Sequence, residues 1–498
     1  MIAARKHIGS MSVRARLSLF CVLLVVPSIF VLAIASAYPT GSSLAWLSIL
    51  LFYTAIVYVV TEERVFGGIN FCSCFLLVSG FVFSSRGLYI AVAEDFSIIG
   101  GFGLPATWDV PIDTIRWVIF GHLFYMTGAT VYRSKTIRAL RRMKTPQFSQ
   151  RVEASRFPVY VWLLMQLCLA GPLVPLGLMR GRTVLTDTSE NAYVYLLPTL
   201  IHGFNLYATV AIALRAREKR NAGAMLLLLI SLAIVFIDAF LMHNLSQFRG
   251  FYLVGLLATS VGLLVVYRGV STWAMCALFC LYPIFKTAGS DRSLDNQEMM
   301  YRLFTNGGES YSQVGLERAF GEASDVNMLD TFAASLNWQH AYRGYVLSYL
   351  YPLVHFVPRR FWPSKPEGGV LSDTGYTLGM PYSPGIIGFF NDDGGVLYML
   401  IMMAVLGAFM RYWEFLCLKI RDRTLQVCTF SAFFISSIVT VRYLPYQVFY
   451  GFLVFFVPCL LCHGMSTFAA RYSVRKKGRM YSSKRKKMET SLYQDRYR

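Results

Sequence analysis

Residues 395–416 read GVLYMLIMMAVLGAFMRYWEFL. A helix needs about 20 mostly apolar residues to cross a bilayer, and this run supplies them. Comparable runs lie at 17–37, 44–60, 71–92, 115–132, 157–178, 193–214, 222–242, 251–267, 273–286, 425–441 and 444–464, with 273–286 the shortest. Only 15% of the chain is charged and 55% is hydrophobic. Soluble domains carry roughly 25% charged residues, so composition alone argues for an integral membrane protein. The expected fold is an all-α polytopic membrane protein with about twelve transmembrane helices.

Placing the cations orients those spans. With the N-terminus inside, the connections 133–156, 215–221 and 417–424 are cytoplasmic and are rich in Lys and Arg. The connection 93–114 has none, and 179–192 has only Arg180 and Arg182. That asymmetry satisfies the positive-inside rule with an even number of spans and both termini cytoplasmic. The tail from 465 adds a further basic stretch that includes Lys484-Arg485-Lys486-Lys487. It reads as an anchor against anionic lipid. No aromatic-interleaved fold accompanies it, so no nucleic-acid partner is expected.

The ends of the chain and the cysteines add little chemistry. Arg5, Lys6, Arg14 and Arg16 precede the run 17–37, and Ala35-Ser36-Ala37 resembles a signal-peptidase site. The run is longer than the usual cleaved segment of about 7–15 residues, so it reads as a retained first helix. All ten cysteines lie in or beside apolar runs, which argues against a disulfide framework or a zinc site. Cys459-Leu460-Leu461-Cys462-His463 has the spacing of a c-type haem attachment, but its Leu/Phe-rich setting reads as a spanning helix. No cofactor and no metal are expected.

One connection stands apart. The expected organisation is a membrane domain over 1–286, a large outer loop over 287–394, a second membrane segment over 395–464 and the basic tail 465–498. Structureless loops above about 15 residues are uncommon and usually functional, so this one should carry helices of its own. Near its end comes HFVPRRFWPSKP, residues 355–366, with three prolines, three aromatic residues (Phe356, Phe361 and Trp362) and three cations. Prolines fix the backbone, so Arg359, Arg360 and Lys365 would point in set directions.

Charge also falls where lipid should not tolerate it. Arg86, Asp238, Arg249 and Arg442 lie in or at the ends of apolar runs, in the expected outer half of the membrane. A charge at the centre of a spanning helix costs at least about 2.5 kcal/mol. Snorkelling to the headgroups explains any one arginine. Arginines gathered from distant parts of the chain suggest a phosphate or pyrophosphate site, because the planar guanidinium pairs two phosphate oxygens and stays charged.

VPRRFWPSKP resembles the proline-arginine, tryptophan-proline, lysine-proline element of oligosaccharide repeat-unit polymerases, the Wzy-type O-antigen polymerases. PYSPGIIGFFNDDGGVLYMLIMMAVLGAFMRYW at 381–413, SQFRG at 246–250 and VRY at 441–443 are similar to further elements of that family. The resemblance implies a glycosyltransferase C-like fold with a large periplasmic loop in a bacterial inner membrane. It implies metal-independent transfer of a growing glycan from polyprenyl pyrophosphate to the next lipid-linked repeat unit. A chain-length regulator protein is a further partner, beyond the lipid-linked glycan and the bilayer. On this reading Arg249, Arg359, Arg360, Lys365 and Arg442 bind pyrophosphate, with the choice between Arg359 and Arg360 open. His355, Asp392 and Asp393 are candidates to take the acceptor hydroxyl proton. Asn391-Asp392-Asp393 could be read as a metal-binding acidic cluster, but it reads better as a turn before Gly394-Gly395, with acceptor-sugar binding a further candidate role. A ligase that transfers glycan to lipid A core, and a carrier of lipid-linked sugars, are the alternatives. The asymmetric outer loop and the absence of two similar halves favour chemistry over transport.

Overall fold

The structure, a computed structural model, describes residues 39–66, 68–143, 159–170, 192–219, 222–245, 249–267, 271–280, 317, 320, 327–337, 384–442 and 455–468. Every regular element among the described residues is helical. In chain order these are α1 (Gly41–Phe66), α2 (Phe71–Ala93), α3 (Ser97–Gly101), α4 (Asp109–Thr130), α5 (Arg133–Met143), α6 (Val159–Ala170) and α7 (Ala192–Lys219). There follow α8 (Ala222–Leu245), α9 (Arg249–Tyr267), α10 (Thr272–Cys280), α11 (Met328–Asn337), α12 (Gly385–Lys419), α13 (Arg423–Arg442) and α14 (Phe455–Phe468). Four of them, α1, α2, α12 and α13, are long and apolar enough to cross a membrane. The molecule is therefore nearly all helical and compatible with an all-α membrane protein.

Local chemistry sets the helix ends. Asn70 stands before α2 in an extended conformation, and its side chain accepts the Ser73 N–H at 2.7 Å, an N-cap that satisfies a donor with no partner in the helix. Glu94 closes α2 in the left-handed region, with its N–H on Ile90 O. Asp422 caps α13 in the same way as Asn70, through the Leu425 N–H at 2.8 Å.

The last long helix before α13 differs from its sequence expectation. The apolar run pointed to a span over 395–416, with residues up to 394 in the loop. Instead helix begins at Gly385, and α12 is two helices joined at a break. Gly394 and Gly395 leave helical geometry, and Gly395 has φ 77°. Only glycine takes that conformation without strain. Residues Ile386, Ile387, Phe389 and Phe390 are buried, so a short apolar stretch that reads as loop is a half-helix held by packing. Asn391, Asp392 and Asp393 form its last turn, and the turn proper falls on the two glycines.

The chain divides into two compact units. The first comprises Met1–Ile137, Val270–Phe415 and Ser436–Phe449. Here α1 lies along α2, and both pack on α4. The α4 and α12 backbones touch: a Cβ on Gly128 would overlap Ala404 O, and one on Gly407 would overlap Tyr125 O. Small residues let helices approach this closely where no hydrophobic force drives them together. Below that crossing lies a charge network. Arg411, fully buried, pairs with Glu62 and Glu414 and donates to Tyr58 OH at 3.1 Å and Ala129 O at 3.3 Å. Arg133 donates to the other oxygen of Glu62 at 2.7 Å.

The second unit comprises Arg138–Gly269, Leu416–Ile435 and Tyr450–Arg498. Its α7 packs against α6, α8 and α9. A polar seam runs through it: Gln166 on α6, Thr209 on α7 and Ser231 on α8 bond to one another at 2.8–3.2 Å. Cys459 and Cys462 on α14 are buried, with the Cys459 thiol 3.5 Å from Gly203 O.

Candidate functional site

The half-helix at the start of α12 is clamped on three sides within the first unit. Gly385 has φ 65°, and a Cβ there would lie 2.8 Å from Val441 O, 3.0 Å from Met328 Sδ and 3.5 Å from Phe83 Cζ. Thus α13, α11 and α2 all converge on the first residue of α12. Three residues on, Gly388 faces the Phe332 ring of α11. Met328 to Ser335 of α11 are buried, so this short helix from the long loop is part of the core of the unit.

α11 carries the polar groups that fix the clamp. Asp330 in its first turn receives two hydrogen bonds from Arg86 of α2, Nε to Oδ2 at 2.7 Å and Nη2 to Oδ1 at 3.1 Å. Both side chains are fully buried. Arg86 Nη1 donates to Phe320 O at 3.0 Å and lies 3.6 Å from Asp95. Its guanidinium also stands 5.4 Å from the centre of the Tyr89 ring. Burial would raise the Asp95 carboxyl, but the Ser97 hydrogen bond and Arg86 outweigh it and hold the group below the usual carboxylate range. Arg86 therefore does not snorkel to the headgroups, one of the two readings open to it; it pins the loop helix to α2.

At the other end of α11, Ser335 meets the break in α12. The Ser335 hydroxyl donates to Asp392 Oδ1, and Asn391 Nδ2 donates to Ser335 Oγ at 2.9 Å and to Ser335 O at 3.0 Å. Asn391 is buried and Asp392 half-buried. The site thus offers a carboxylate oriented by a hydroxyl, at a glycine break, with Asp393 half-buried beside it.

The expected site residues fall into three groups. Asp392 and Asp393 sit at the break. Arg442, half-buried, ends α13 one residue after the Val441 carbonyl that meets Gly385. The elements carrying the acidic pair and Arg442 are therefore joined through the Gly385 junction. Arg249 opens α9 in the second unit, and its side chain lies outside the described residues. So do His355, Arg359, Arg360 and Lys365.

Sequence reasoning missed Asp330 and Ser335, and also Glu62, Arg411 and Glu414. A signal existed for Asp330: one acid in the apolar stretch MLDTFAASL, matching the single arginine within α2. The others hid because apolar runs were trimmed short of Glu62 and read through Arg411. Comparison of the chain with family models, with characterised proteins and with solved structures gives no match.

Truncating Arg86 leaves Asp330 as an uncompensated buried charge, which typically costs about 3–5 kcal/mol. Arg86→Met should lower the melting temperature of the purified protein sharply. Arg86→Met combined with Asp330→Leu should regain much of the loss. A double variant as weak as the single one would show that the pair is not the source of the effect.

Proposed function

We propose that the chain polymerises lipid-linked oligosaccharide repeat units, moving a growing glycan from polyprenyl pyrophosphate to the next repeat unit. On this reading it is a glycosyltransferase C-like protein of about twelve spans in a bacterial inner membrane, with both termini cytoplasmic and the long loop on the outer face. The observation that carries it is the Gly385 junction. It joins the half-helix bearing Asp392 and the end of α13 bearing Arg442, two of the stretches in which the sequence resembles such polymerases.

The chemistry follows from the groups. Negative charge develops on the pyrophosphate as the glycosidic bond breaks, and a fixed guanidinium at Arg442 stabilises it. By the sequence resemblance alone, Arg359, Arg360 and Lys365 share that role. The acceptor hydroxyl must lose its proton as it attacks. Asp392, oriented by Ser335, is the base we favour, with Asp393 and His355 as the alternatives the sequence offers.

One observation favours a second reading. A helix broken by glycines also builds substrate sites in transporters, so a carrier of lipid-linked glycan is the competing function. A ligase to lipid A core would use the same leaving group with another acceptor.

Purified protein in liposomes, supplied with polyprenyl-pyrophosphate-linked repeat units, separates these. Lengthened glycan without flux is expected. Flux without lengthening would instead make it a carrier. Lengthening should fall at least about tenfold in Asp392→Asn, as loss of a general base typically gives. It should also fall in Arg442→Lys, which keeps the charge and loses the fork. Unimpaired lengthening in both variants, with the protein intact, would remove these residues from the site.

A further inference from the structure

The second unit holds a buried acid that the proposed chemistry does not use. Asp238 of α8 is 0% exposed, and Asn205 of α7 is 1% exposed. Asn205 Nδ2 reaches Asp238 Oδ2 at 2.5 Å. Among the described residues Asp238 Oδ1 has no hydrogen-bond partner, and neither does Asn205 Oδ1. No described Lys or Arg forms a salt bridge with Asp238. Two acceptor oxygens thus stand at one contact, inside an apolar helix bundle, with no donor between them.

A proton resolves that arrangement. As a neutral acid, Asp238 has one O–H to donate and still accepts through its other oxygen. The acid O–H then bonds to the amide carbonyl while the amide N–H bonds to the acid carbonyl, and neither residue keeps an unpaired oxygen. An isolated carboxylate in such surroundings carries a heavy desolvation cost, and the group neutralises instead. Ionisable residues at membrane depth that lack a cation are commonly proton sites.

Among the described residues the surroundings supply no counter-charge. From α7 come His202, whose Nε2 also has no partner, and Tyr207, both buried. Arg215, Arg217 and Glu218 lie about 15 Å or more further along the same helix, at 1.5 Å per residue. From α6 come Tyr160 and Cys168, both exposed, and from α9 comes Tyr267. Arg249 begins α9, and its side chain is outside the described residues.

We propose that Asp238 and Asn205 form a proton-binding site, a neutral acid–amide pair that joins α7 to α8. Occupancy by the proton holds the two helices together. Its loss leaves a charge in the bundle and loosens that contact. Nothing in this depends on the polymerase reading.

The test is infrared spectroscopy on the full chain in detergent micelles, with thermal unfolding alongside. At neutral pH the wild type should show a protonated-carboxyl stretching band that Asp238→Asn lacks. In Asn205→Ala the band should persist at a displaced frequency, because its hydrogen-bond partner is gone. On raising the pH the wild type should lose both the band and stability, whereas Asp238→Asn should keep its stability, having nothing to ionise there. Two results would overturn the proposal. One is a spectrum of Asp238→Asn with the carboxyl band unchanged. The other is collapse of Asp238→Asn at neutral pH. The amide keeps the shape and neutrality of the acid, so collapse would mean the side chain serves as an anion, paired with a cation such as Arg249.

Discussion

Arg411→Met should nearly abolish folded protein in the membrane fraction. The guanidinium is fully buried and balances Glu62 and Glu414, with Tyr58 OH and Ala129 O taking further hydrogen bonds. Methionine fills much of the volume and removes every donor. Two carboxylates then share a buried space, with only Arg133 among the described residues left on one oxygen of Glu62. Breaking such a pair typically costs about 3–5 kcal/mol, much of the roughly 5–15 kcal/mol that holds a domain folded. Lysine should fare little better, because it supplies one point charge where the arginine fork serves several acceptors. Adding Glu62→Gln and Glu414→Gln to Arg411→Met removes the stranded charges and should restore detectable protein. The measurement is size-exclusion chromatography of detergent extracts, followed by thermal unfolding. Normal accumulation of Arg411→Met would refute the role given to the network.

Gly128→Val should produce a loss of similar size by a different route. The Cβ position of Gly128 coincides with the carbonyl of Ala404, and that of Gly407 with the carbonyl of Tyr125. Side chains can turn aside from an added methyl, but a helix backbone cannot. Overpacking usually costs about 1–3 kcal/mol; with main chain as the obstacle, the effect should reach or pass the top of that range. Alanine at either position should already separate α4 from α12, and valine should prevent their crossing. Moving the helices apart also strains the Arg411 network, since Arg411 of α12 bonds to Ala129 of α4. Thermal unfolding of Gly128→Ala and Gly407→Ala, set against Gly223→Ala, checks this, because a Cβ at Gly223 meets nothing within 4 Å. Equal melting temperatures for all three would contradict the close crossing.

How much of this could be read in advance differs from element to element. The apolar runs near 44–60, 71–92 and 425–441 match α1, α2 and α13 to within a few residues, apart from the extension of α1 to Phe66. Such runs report themselves, because a chain that must face lipid has to be apolar along its whole length. The half-helix at Gly385 did not report itself. It is too short for a span, is punctuated by glycine, and ends in three polar residues; only the surfaces of α2, α11 and α13 make it helical. The candidate site was legible in part for the same reason. Asp392 stood out beside two glycines, whereas Ser335 is an ordinary serine until α11 is folded against the break. Arg86 was legible as a charge in the wrong place, but its partner lies 244 positions away, and no local pattern carries that distance.

The sequence by itself pointed to a largely helical chain with runs apolar enough to span a membrane, to the ends of several of its helices and to a turn beside Gly394 and Gly395. Those follow from hydropathy, capping and backbone freedom, which are properties of neighbouring residues. Only the tertiary structure decided that Arg86 holds Asp330, that Arg411 holds two glutamates, that Ser335 orients Asp392 and that Asp238 meets Asn205. A buried polar group must find its partner in space, and the chain brings such partners together only by folding.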